Sequence, residues 1–329
     1  MKNFILIIVP LILLTSGCQR AVNGKKIALF PVIVEDKVGF IDTSGVLVIE
    51  ARFDRANLFT DGLAAVKVSD KWGYIDEKGE MVIEPQFDFG GPFSEDMADV
   101  RIGMRWGYID KKGRVKVEPQ YFAARGFSEG FAAVKVGDNW GCIDKKGKTV
   151  IEPVYLLPVT FAEGLGAYWN GEHWGYLDKT GDTIISARFS LVGMFSEGRA
   201  PVVLDGRWGF IGKSGNVVIE PEFDFAGPFT SGLAPVKIAE KWGFIDSTGA
   251  LAIGLDFDLA YVFFEDLAAV RVGEKWGYVN RTGEFAIEPR FAFASNFNGG
   301  LAVVWDSPTV RAYINKKGEY VWRSEPATQ

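Results

Sequence analysis

Histidine and cysteine are both scarce in this 329-residue chain, which has one histidine and two cysteines. A single histidine excludes a poly-histidine metal site and argues against histidine-based acid–base catalysis. We expect His173 to be a solvated surface residue. Cys142 stands where the other copies of a repeated motif carry tyrosine or phenylalanine, so it is predicted to be a packed apolar residue. It has no flanking histidine or cationic pocket that would make it a reactive thiol.

A basic stripe is also missing. The net charge is −6, and lysine and arginine are spread evenly along the chain. This distribution argues against nucleic acid as a partner. The glycine-rich pairs, such as Gly90-Gly91, lack the lysine and helix start of a phosphate-binding loop. No cofactor is predicted.

The chain has no apolar run long enough to cross a bilayer, which takes roughly 20 residues. The longest run near its start, 4–14, suits the hydrophobic region of a secretory signal. It leads into Leu14-Thr15-Ser16-Gly17-Cys18, which resembles the lipobox of bacterial lipoproteins, although its leucine lies one residue too far from the cysteine. The resemblance implies a signal peptide over 1–17, a lipid on Cys18 and a short tether over 18–26. Gln19 after the cysteine favours the outer membrane or cell surface over the inner membrane, by analogy with enterobacterial lipoproteins.

What the sequence does contain is a repeat. Trp72-Gly73-Tyr74-Ile75-Asp76 returns every 34 residues, and such a fixed period indicates a repeat architecture. Further copies begin at Trp106, Trp140, Trp174, Trp208, Trp242 and Trp276. A degenerate first copy begins at Val38, and a last copy, Ala312-Tyr313-Ile314-Asn315, is displaced by one residue. Nine copies predict an array over 27–323, followed by a short tail, 324–329.

Each copy is predicted to form three β-strands. Residues 63–68 alternate in polarity, 72–76 are aromatic and β-branched, and 81–83 are β-branched. Short turns join the three strands into an antiparallel meander, which Glu84-Pro85 should end. Asp76 and Gly79 fit the first and last positions of the second turn. The fold class is therefore all-β, with nine three-stranded repeats stacked as a propeller-like or a β-solenoid assembly. Glycines and prolines at fixed positions exclude the helical tetratricopeptide repeat, which has the same period.

A connector follows each meander, and two aromatic positions recur in it. We expect these side chains to anchor the connector in the core. The first position is held by Phe53, Phe87, Tyr121, Tyr155, Phe189, Phe223, Phe257 and Phe291. The second is held by Phe59, Phe93, Phe127, Phe161, Phe195, Phe229, Phe263 and Phe297.

Two series of carboxylates recur along the chain and are candidates for a calcium site or a glycosidase site. One aspartate per repeat, often followed by lysine as in Lys111-Lys112, favours turn chemistry over a calcium ladder. One glutamate per repeat at a strand end is explained by the repeat, whereas a glycosidase needs one exceptional pair. The first series is Asp42, Asp76, Asp110, Asp144, Asp178 and Asp246; the second is Glu50, Glu84, Glu118, Glu152, Glu220 and Glu288.

The motif K-W-G-Y-I-D-x-x-G, followed by V-I-E-P-x-F and F-S-E-G-L-A-A-V, resembles the bacterial WG or KWG repeat family over residues 27–322. The resemblance implies a β-rich array, often on exported proteins and supposed to mediate binding. It implies no catalytic residues.

The fifth copy departs most from the pattern. Tyr168, Trp169, Asn170 and Glu172 could form a patch that stacks on a sugar ring. The favoured function is a non-catalytic binding scaffold for a protein or a cell-envelope glycan, held to the membrane by its lipid. The alternatives are a structural spacer without a ligand and an exported polysaccharide hydrolase with its site in the fifth copy.

Overall fold

The computed structural model describes residues 28–324, which form strands and turns without a helix. The strands make nine separate antiparallel sheets, called blades 1 to 9 in chain order. Blade 1 comprises β1 (Phe30–Val34), β2 (Lys37–Ile41) and β3 (Leu47–Phe53). Blade 2 comprises β4 (Arg55–Ala56), β5 (Leu63–Val68), β6 (Lys71–Asp76) and β7 (Met81–Phe87). Blade 3 comprises β8 (Phe89–Ser94), β9 (Met97–Ile102), β10 (Arg105–Asp110) and β11 (Val115–Tyr121).

The remaining six blades follow the same order. Blades 4 to 6 comprise β12 (Ala123–Ala124), β13 (Phe131–Val136), β14 (Asn139–Asp144), β15 (Thr149–Tyr155); β16 (Phe161–Ala162), β17 (Leu165–Trp169), β18 (Trp174–Asp178), β19 (Thr183–Phe189); β20 (Arg199–Leu204), β21 (Arg207–Gly212), β22 (Val217–Phe223). Blades 7 to 9 comprise β23 (Phe225–Ala226), β24 (Ala234–Ile238), β25 (Lys241–Ile245), β26 (Leu251–Phe257); β27 (Leu259–Ala260), β28 (Ala268–Val272), β29 (Lys275–Val279), β30 (Phe285–Phe291); β31 (Phe293–Ala294), β32 (Leu301–Ser307), β33 (Val310–Asn315), β34 (Tyr320–Arg323).

The predicted meander is present in every blade, but most blades gain a fourth strand. The connector contributes a short first strand to the following meander, as β4 pairs with β5 through Arg55 and Lys67. Only blades 1 and 6 have three strands within residues 28–324. The sequence predicted three strands in each blade and a connector between blades; the pairing of the added strand is only two residues long in most blades.

The last strand of each meander is longer than predicted. β7 continues through Glu84-Pro85 to Phe87, with register shifts on both sides of Tyr74. These shifts bring the strand backbone onto Gly73, where an added Cβ would lie 2.5 Å from the carbonyl oxygen of Ile83. The glycine of the repeated motif is therefore required by a close backbone approach, and proline is tolerated because it lies in the irregular part of the ladder.

The core lies between blades. Nine clusters of buried side chains occur, and each joins two neighbouring blades. In the cluster between blades 2 and 3, Tyr74 packs edge-on against Phe93, with the ring centroids 4.9 Å apart. Phe87 and Phe93 are both almost fully buried, so the predicted anchoring role of the connector aromatics is confirmed in this blade pair. Burying apolar area between repeats is what allows each small sheet to be stable.

Hydrogen bonds between blades supplement this core. The Tyr74 hydroxyl donates to the Gly91 carbonyl of the next blade at 2.9 Å. The Glu95 carboxylate accepts from the Gly130 amide of the next blade at 3.0 Å. Lys145, in the same neighbouring blade, pairs with that carboxylate at 3.2 Å. Backbone groups exposed in one blade are thus satisfied by side chains of its neighbour.

The ninth cluster closes the ring. It joins Phe30 and Val32 of blade 1 to Leu301 and Tyr313 of blade 9. Blade 1 and blade 9 are each built from consecutive strands, so no blade within the described chain combines strands from its two ends. The nine sheets form a closed nine-bladed β-propeller, which decides between the two assemblies that the repeat pattern had left open.

The aspartate turns form as predicted. The Asp76 Oδ1 accepts from the backbone amides of Lys78 and Glu80, both at 2.9 Å. Gly79 has a φ of 83°, in the left-handed region that favours glycine. The hydrogen bonds from Ser44 lower the pKa of Asp42 in the equivalent turn, so this carboxylate is held ionised.

Several predictions fall outside the described residues, namely the signal peptide (1–17), Cys18, the tether (18–26) and all but the first residue of the tail. Between residues 28 and 324 no helix is long and apolar enough to cross a membrane.

Candidate interaction surface

The two faces of the ring differ in what they carry. Because consecutive strands of a blade are antiparallel, their connections alternate between the faces. One face, here the tryptophan face, carries the turns before each motif tryptophan and the junctions between blades, such as Asp88. The other, the turn face, carries the aspartate turns, such as Asp76–Gly79, and the loops that follow each first strand.

The tryptophans pack at the blade junctions. Phe89, in the first strand of blade 3, lies between two of them, 5.8 Å from Trp72 and 5.1 Å from Trp106 between ring centroids. Phe225 lies in the same way between Trp208 and Trp242. The motif tryptophan therefore packs along the junctions and is not itself an exposed platform.

At four of these junctions an aspartate on the tryptophan face forms an ion pair with a lysine or arginine. The Asp88 carboxylate accepts from Lys71 of its own repeat at 2.6 Å and from the Gly103 amide of the next blade at 2.6 Å. The hydrogen bond from Lys71, and then that from Gly103, lower the pKa of Asp88. The same pairing joins Lys37 to Asp54, Arg207 to Asp224 and Lys241 to Asp258.

Three consecutive junctions between these charged ones lack the aspartate. Phe122, Leu156 and Ser190 stand at its position, and leucines follow at the last two. Phe122 is 52% exposed, Leu156 58% and Leu191 51%. Met104, in the adjoining turn of blade 3, is 86% exposed. We call Met104, Phe122, Leu156, Leu157 and Leu191 the apolar arc; it spans blades 3 to 6 of the tryptophan face.

The fifth-copy residues are only partly brought together. Trp169 and Trp174 face each other across a strand pair, with centroids 5.5 Å apart and planes at 53°. Asn170 and Glu172 follow in the exposed turn on the tryptophan face, beside the apolar arc. Tyr168 points to the other side of its sheet and packs against Tyr155 in the interface with blade 4. The four residues do not form one patch, because neighbouring residues of a strand alternate between its two faces.

Asn170 has a structural task in that turn. Its Oδ1 accepts from the Glu172 amide at 2.9 Å and the His173 amide at 2.8 Å. His173 is exposed, as expected. The apolar arc itself had not been predicted. The signal for it was present, since aspartate is replaced at three successive copies of one repeat position.

The carboxylates do not converge on a metal site. Within residues 28–324 no group of three or more histidine, cysteine, aspartate or glutamate side chains could hold a metal ion. The strand-end glutamates, such as Glu84 and Glu118, are exposed. A cleft of about 500 Å³ lies on the tryptophan face between blades 1 and 3, lined by Ile33, Arg55, Trp72 and Phe89 among others. It is shallow and lies where blade 1 has no first strand among the described residues.

The fold and the repeated inter-blade packing define a nine-bladed β-propeller built from one short motif. The model of the WG containing repeat matches residues 39–72, 72–103, 106–140, 140–155, 174–208, 208–242, 242–276 and 276–304. The chain therefore belongs to the WG-repeat family. No curated protein matches its sequence.

Solved structures resemble the chain in fold. One, described as the crystal structure of the eukaryotic initiation factor, has a TM-score of 0.65 and 10% identity, with 91% of this chain and 96% of that chain covered. BamB from Moraxella catarrhalis has a TM-score of 0.43 and 12% identity, with 88% and 94% covered. At such identities the likeness to the first shows the fold alone.

Proposed function

We propose that this protein is a non-catalytic, exported lipoprotein that binds a partner protein through the apolar arc of its tryptophan face. The observation that carries the proposal is the interruption of the charged junctions by Phe122, Leu156 and Leu191. The centre of a protein interface is depleted of charge and enriched in methionine and aromatic side chains. The apolar arc combines three leucines with Met104 and Phe122, whose ring also contacts the Arg105 guanidinium at 3.8 Å. The flanking junctions keep their ion pairs and would form a polar rim.

A protein partner fits this surface better than a glycan. Sugar binding needs an exposed aromatic face with free hydrogen-bonding groups around it. Trp169 and Trp174 are tilted against each other, and the Asn170 oxygen already accepts two backbone amides. The aliphatic side chains of the apolar arc offer a sugar no polar contact.

The two remaining hypotheses receive less support. A spacer without a ligand would gain nothing from the exposed leucines at these junctions. A hydrolase would need a pair of carboxylates set apart from the rest, and the exposed glutamates repeat along the ring.

The test substitutes arc residues by the aspartate that occurs at the same repeat position in other blades. Leu156→Asp and Phe122→Asp introduce the residue found at the same position in blade junctions such as Asp88. Ala292→Asp makes the same change at an exposed position outside the apolar arc. The three variants and the parent, each the full mature chain, are used to capture partners from envelope extracts. Captured proteins are identified and their affinities measured with purified components.

We expect one protein bound by the parent and by Ala292→Asp, and bound roughly 30-fold more weakly by each arc variant, the effect of losing a hot-spot residue. Equal binding by all variants would refute the apolar arc as the site. Saturable binding to a glycan panel would favour the glycan hypothesis. Self-association in sedimentation experiments would show that a second copy covers the arc, and binding to nothing would favour the spacer.

The lipid anchor is tested separately. The full-length protein should float with membranes, and Cys18→Ala should release it into the soluble exported fraction. Release of the parent chain as well would refute the anchor and leave the binding proposal intact.

A further inference from the structure

The turn face carries lysines at two adjacent positions of the aspartate turn, and only the first is paired. Lys145, Lys179, Lys213 and Lys316 each contact a glutamate of the preceding blade at 3.2 or 3.3 Å. These lysines hold the ring together and contribute little free charge. The following residue of each turn projects from the face without such a partner.

At this following position the residue type differs around the ring. Lysine occurs in blades 9, 2, 3 and 4, at Lys317, Lys78, Lys112 and Lys146. Serine or threonine occurs elsewhere, at Ser44, Thr180, Ser214, Thr248 and Thr282. The four lysines are exposed and form no ion pair within residues 28–324. We call them the lysine arc; because blade 9 adjoins blade 1, the arc runs from blade 9 to blade 4, with Ser44 of blade 1 inside it.

The surroundings of the lysine arc are not uniformly basic. Glu77 and Glu80 flank Lys78, and Glu319 follows Lys317. Lys148 follows Lys146, and Arg114 follows Lys112 but pairs with Asp110 at 2.6 Å. The positive charge is therefore densest in blades 3 and 4.

The chain enters the ring on this same face. Residue 28, the first described, lies beside Gly299 in a turn-face loop of blade 9, where an added Cβ would be 2.9 Å from the Ala28 Cβ. From there β1 runs across blade 1 towards the tryptophan face. Nine residues, 19–27, separate Cys18 from Ala28. Their full reach is about 35 Å, at up to 3.6 Å a residue.

We infer that the lysine arc contacts anionic lipid headgroups, so that the turn face lies towards the membrane and the tryptophan face, with the apolar arc, points away from it. This inference rests on the lipid anchor of the proposed function. The short connection to Cys18 brings the turn face close to the bilayer. Two of the unpaired lysines, Lys317 and Lys78, lie in the blades on either side of blade 1, where the chain enters. A lysine near an anionic membrane surface favours contact by about five-fold.

The experiment measures which face touches the bilayer in the full lipidated protein. A fluorophore is attached at Ser44→Cys, between Lys317 and Lys78 of the lysine arc, or at Asp138→Cys, in an exposed turn of the tryptophan face. The native Cys142 is buried and does not compete for the label. The protein is inserted in phosphatidylcholine vesicles with or without phosphatidylglycerol, and quenching by headgroup-labelled lipid is recorded.

A charge-removing variant and a matched control complete the design. Lys78→Thr/Lys112→Thr/Lys146→Thr converts three turns to the residue that other blades carry. Lys67→Thr/Lys135→Thr/Lys275→Thr removes the same charge from the tryptophan face. We expect strong quenching at Ser44→Cys in anionic vesicles and little at Asp138→Cys. The equilibrium constant for contact should fall about 100-fold in the first variant, three lysines at about five-fold each, and remain unchanged in the control.

The outcomes separate this inference from the proposed function. Equal quenching at both labels, stronger quenching at Asp138→Cys, or indifference to the lysine substitutions would overturn the inference while the protein remains vesicle-bound. Failure of the parent protein to float with vesicles of either composition would instead refute the lipid anchor, and with it this inference.

Discussion

The hydroxyl of Tyr313 donates a hydrogen bond to the carbonyl of Pro31 at 3.0 Å, between residues 282 positions apart. Equivalent tyrosines donate to the start of the next blade: Tyr74 donates to Gly91 in its first strand, and Tyr278 donates to Ser295, just after its first strand. Blade 1 has no first strand among the described residues, so the bond at the closure is made to β1 instead. The tyrosine at this position thus bonds to the next blade within the array and, in blade 9, to blade 1 at the closure of the ring.

Removing this hydroxyl should weaken the closure. Tyr313→Phe should keep the packing, because phenylalanine fills the same position at Phe40 and Phe244, and should cost about 1 kcal/mol for one lost hydrogen bond. Hydrogen exchange should accelerate in β1 and β33. Tyr278→Phe is the matched control, with a similar loss of stability and no effect on exchange in β1. Unchanged exchange in β1 would show that the apolar cluster alone holds the ring closed.

Alkaline pH should destabilise the ring through its buried tyrosines. Burial raises the pKa of Tyr313 to about 12 from an ordinary value of 10.0. The unfolded chain therefore loses its phenolic proton first, and this contribution to stability is present below pH 10 and disappears as pH rises towards 12. It amounts to at most about 3 kcal/mol. Urea unfolding at a series of pH values should show the decline, and Tyr313→Phe should reduce its slope.

Asp99 is a buried carboxylate where other blades have small residues such as Ala65 and Ala133. Its Oδ1 occupies the space that a Cβ on Gly91 would need. The prolines Pro201 and Pro235 stand at the same position as Asp99, and they too face glycines, so a larger side chain here is matched by a glycine in the connector before the blade. Where the position is Ala133, the opposing residue is Arg125.

Replacing Asp99 should stabilise the protein at neutral pH. Burial raises the pKa of Asp99 to about 6 from 3.8, so the folded state favours the protonated form. The favourable contribution is complete below pH 3.8 and is lost as pH rises through 6. Asp99→Asn should therefore gain up to about 3 kcal/mol in urea unfolding at neutral pH and nothing in acid. A loss of stability at neutral pH would show that the carboxylate gains more from the nearby Arg125 charge than its burial costs.

Asn280 replaces the usual aspartate of the turn and accepts the same backbone hydrogen bonds. Its Oδ1 accepts from the Thr282 amide at 2.9 Å and the Glu284 amide at 3.1 Å. Asn280→Ala should cost about 1–2 kcal/mol, because two turn amides lose their acceptor. Asn280→Asp should be nearly neutral in the same thermal unfolding assay. If both variants behave alike, the backbone and Gly283 suffice to form the turn.

Cys142 should be unreactive in the folded protein. It is buried in blade 4, and burial raises the pKa of its thiol to about 12. A maleimide should label it only when the blade opens, so labelling should follow urea unfolding. Rapid labelling of the native protein would show that blade 4 opens locally, well below the global transition.

Much of the fold could be predicted because the same turn and strand residues recur in all nine copies of the repeat. Asp76 and Gly79 specify a turn, and alternation over 63–68 specifies a strand, through interactions between close neighbours in sequence. The short first strands could not be predicted, since two residues such as Arg55 and Ala56 show no periodicity and gain their pairing only from the adjacent hairpin. Tyr168 and Trp169 lie on opposite sides of their sheet because neighbouring residues of a strand alternate between its two faces.

Three features were determined by the sequence itself: the nine units, their antiparallel strands and the aspartate turns. Each depends on backbone conformation and hydrogen bonds within a single repeat. Closure of the ring, the existence of two distinct faces and the grouping of Phe122, Leu156 and Leu191 were decided only by the tertiary structure. These depend on the small rotation between blades, and that rotation is set by the packing of every interface at once, including the one that joins Phe30 to Tyr313.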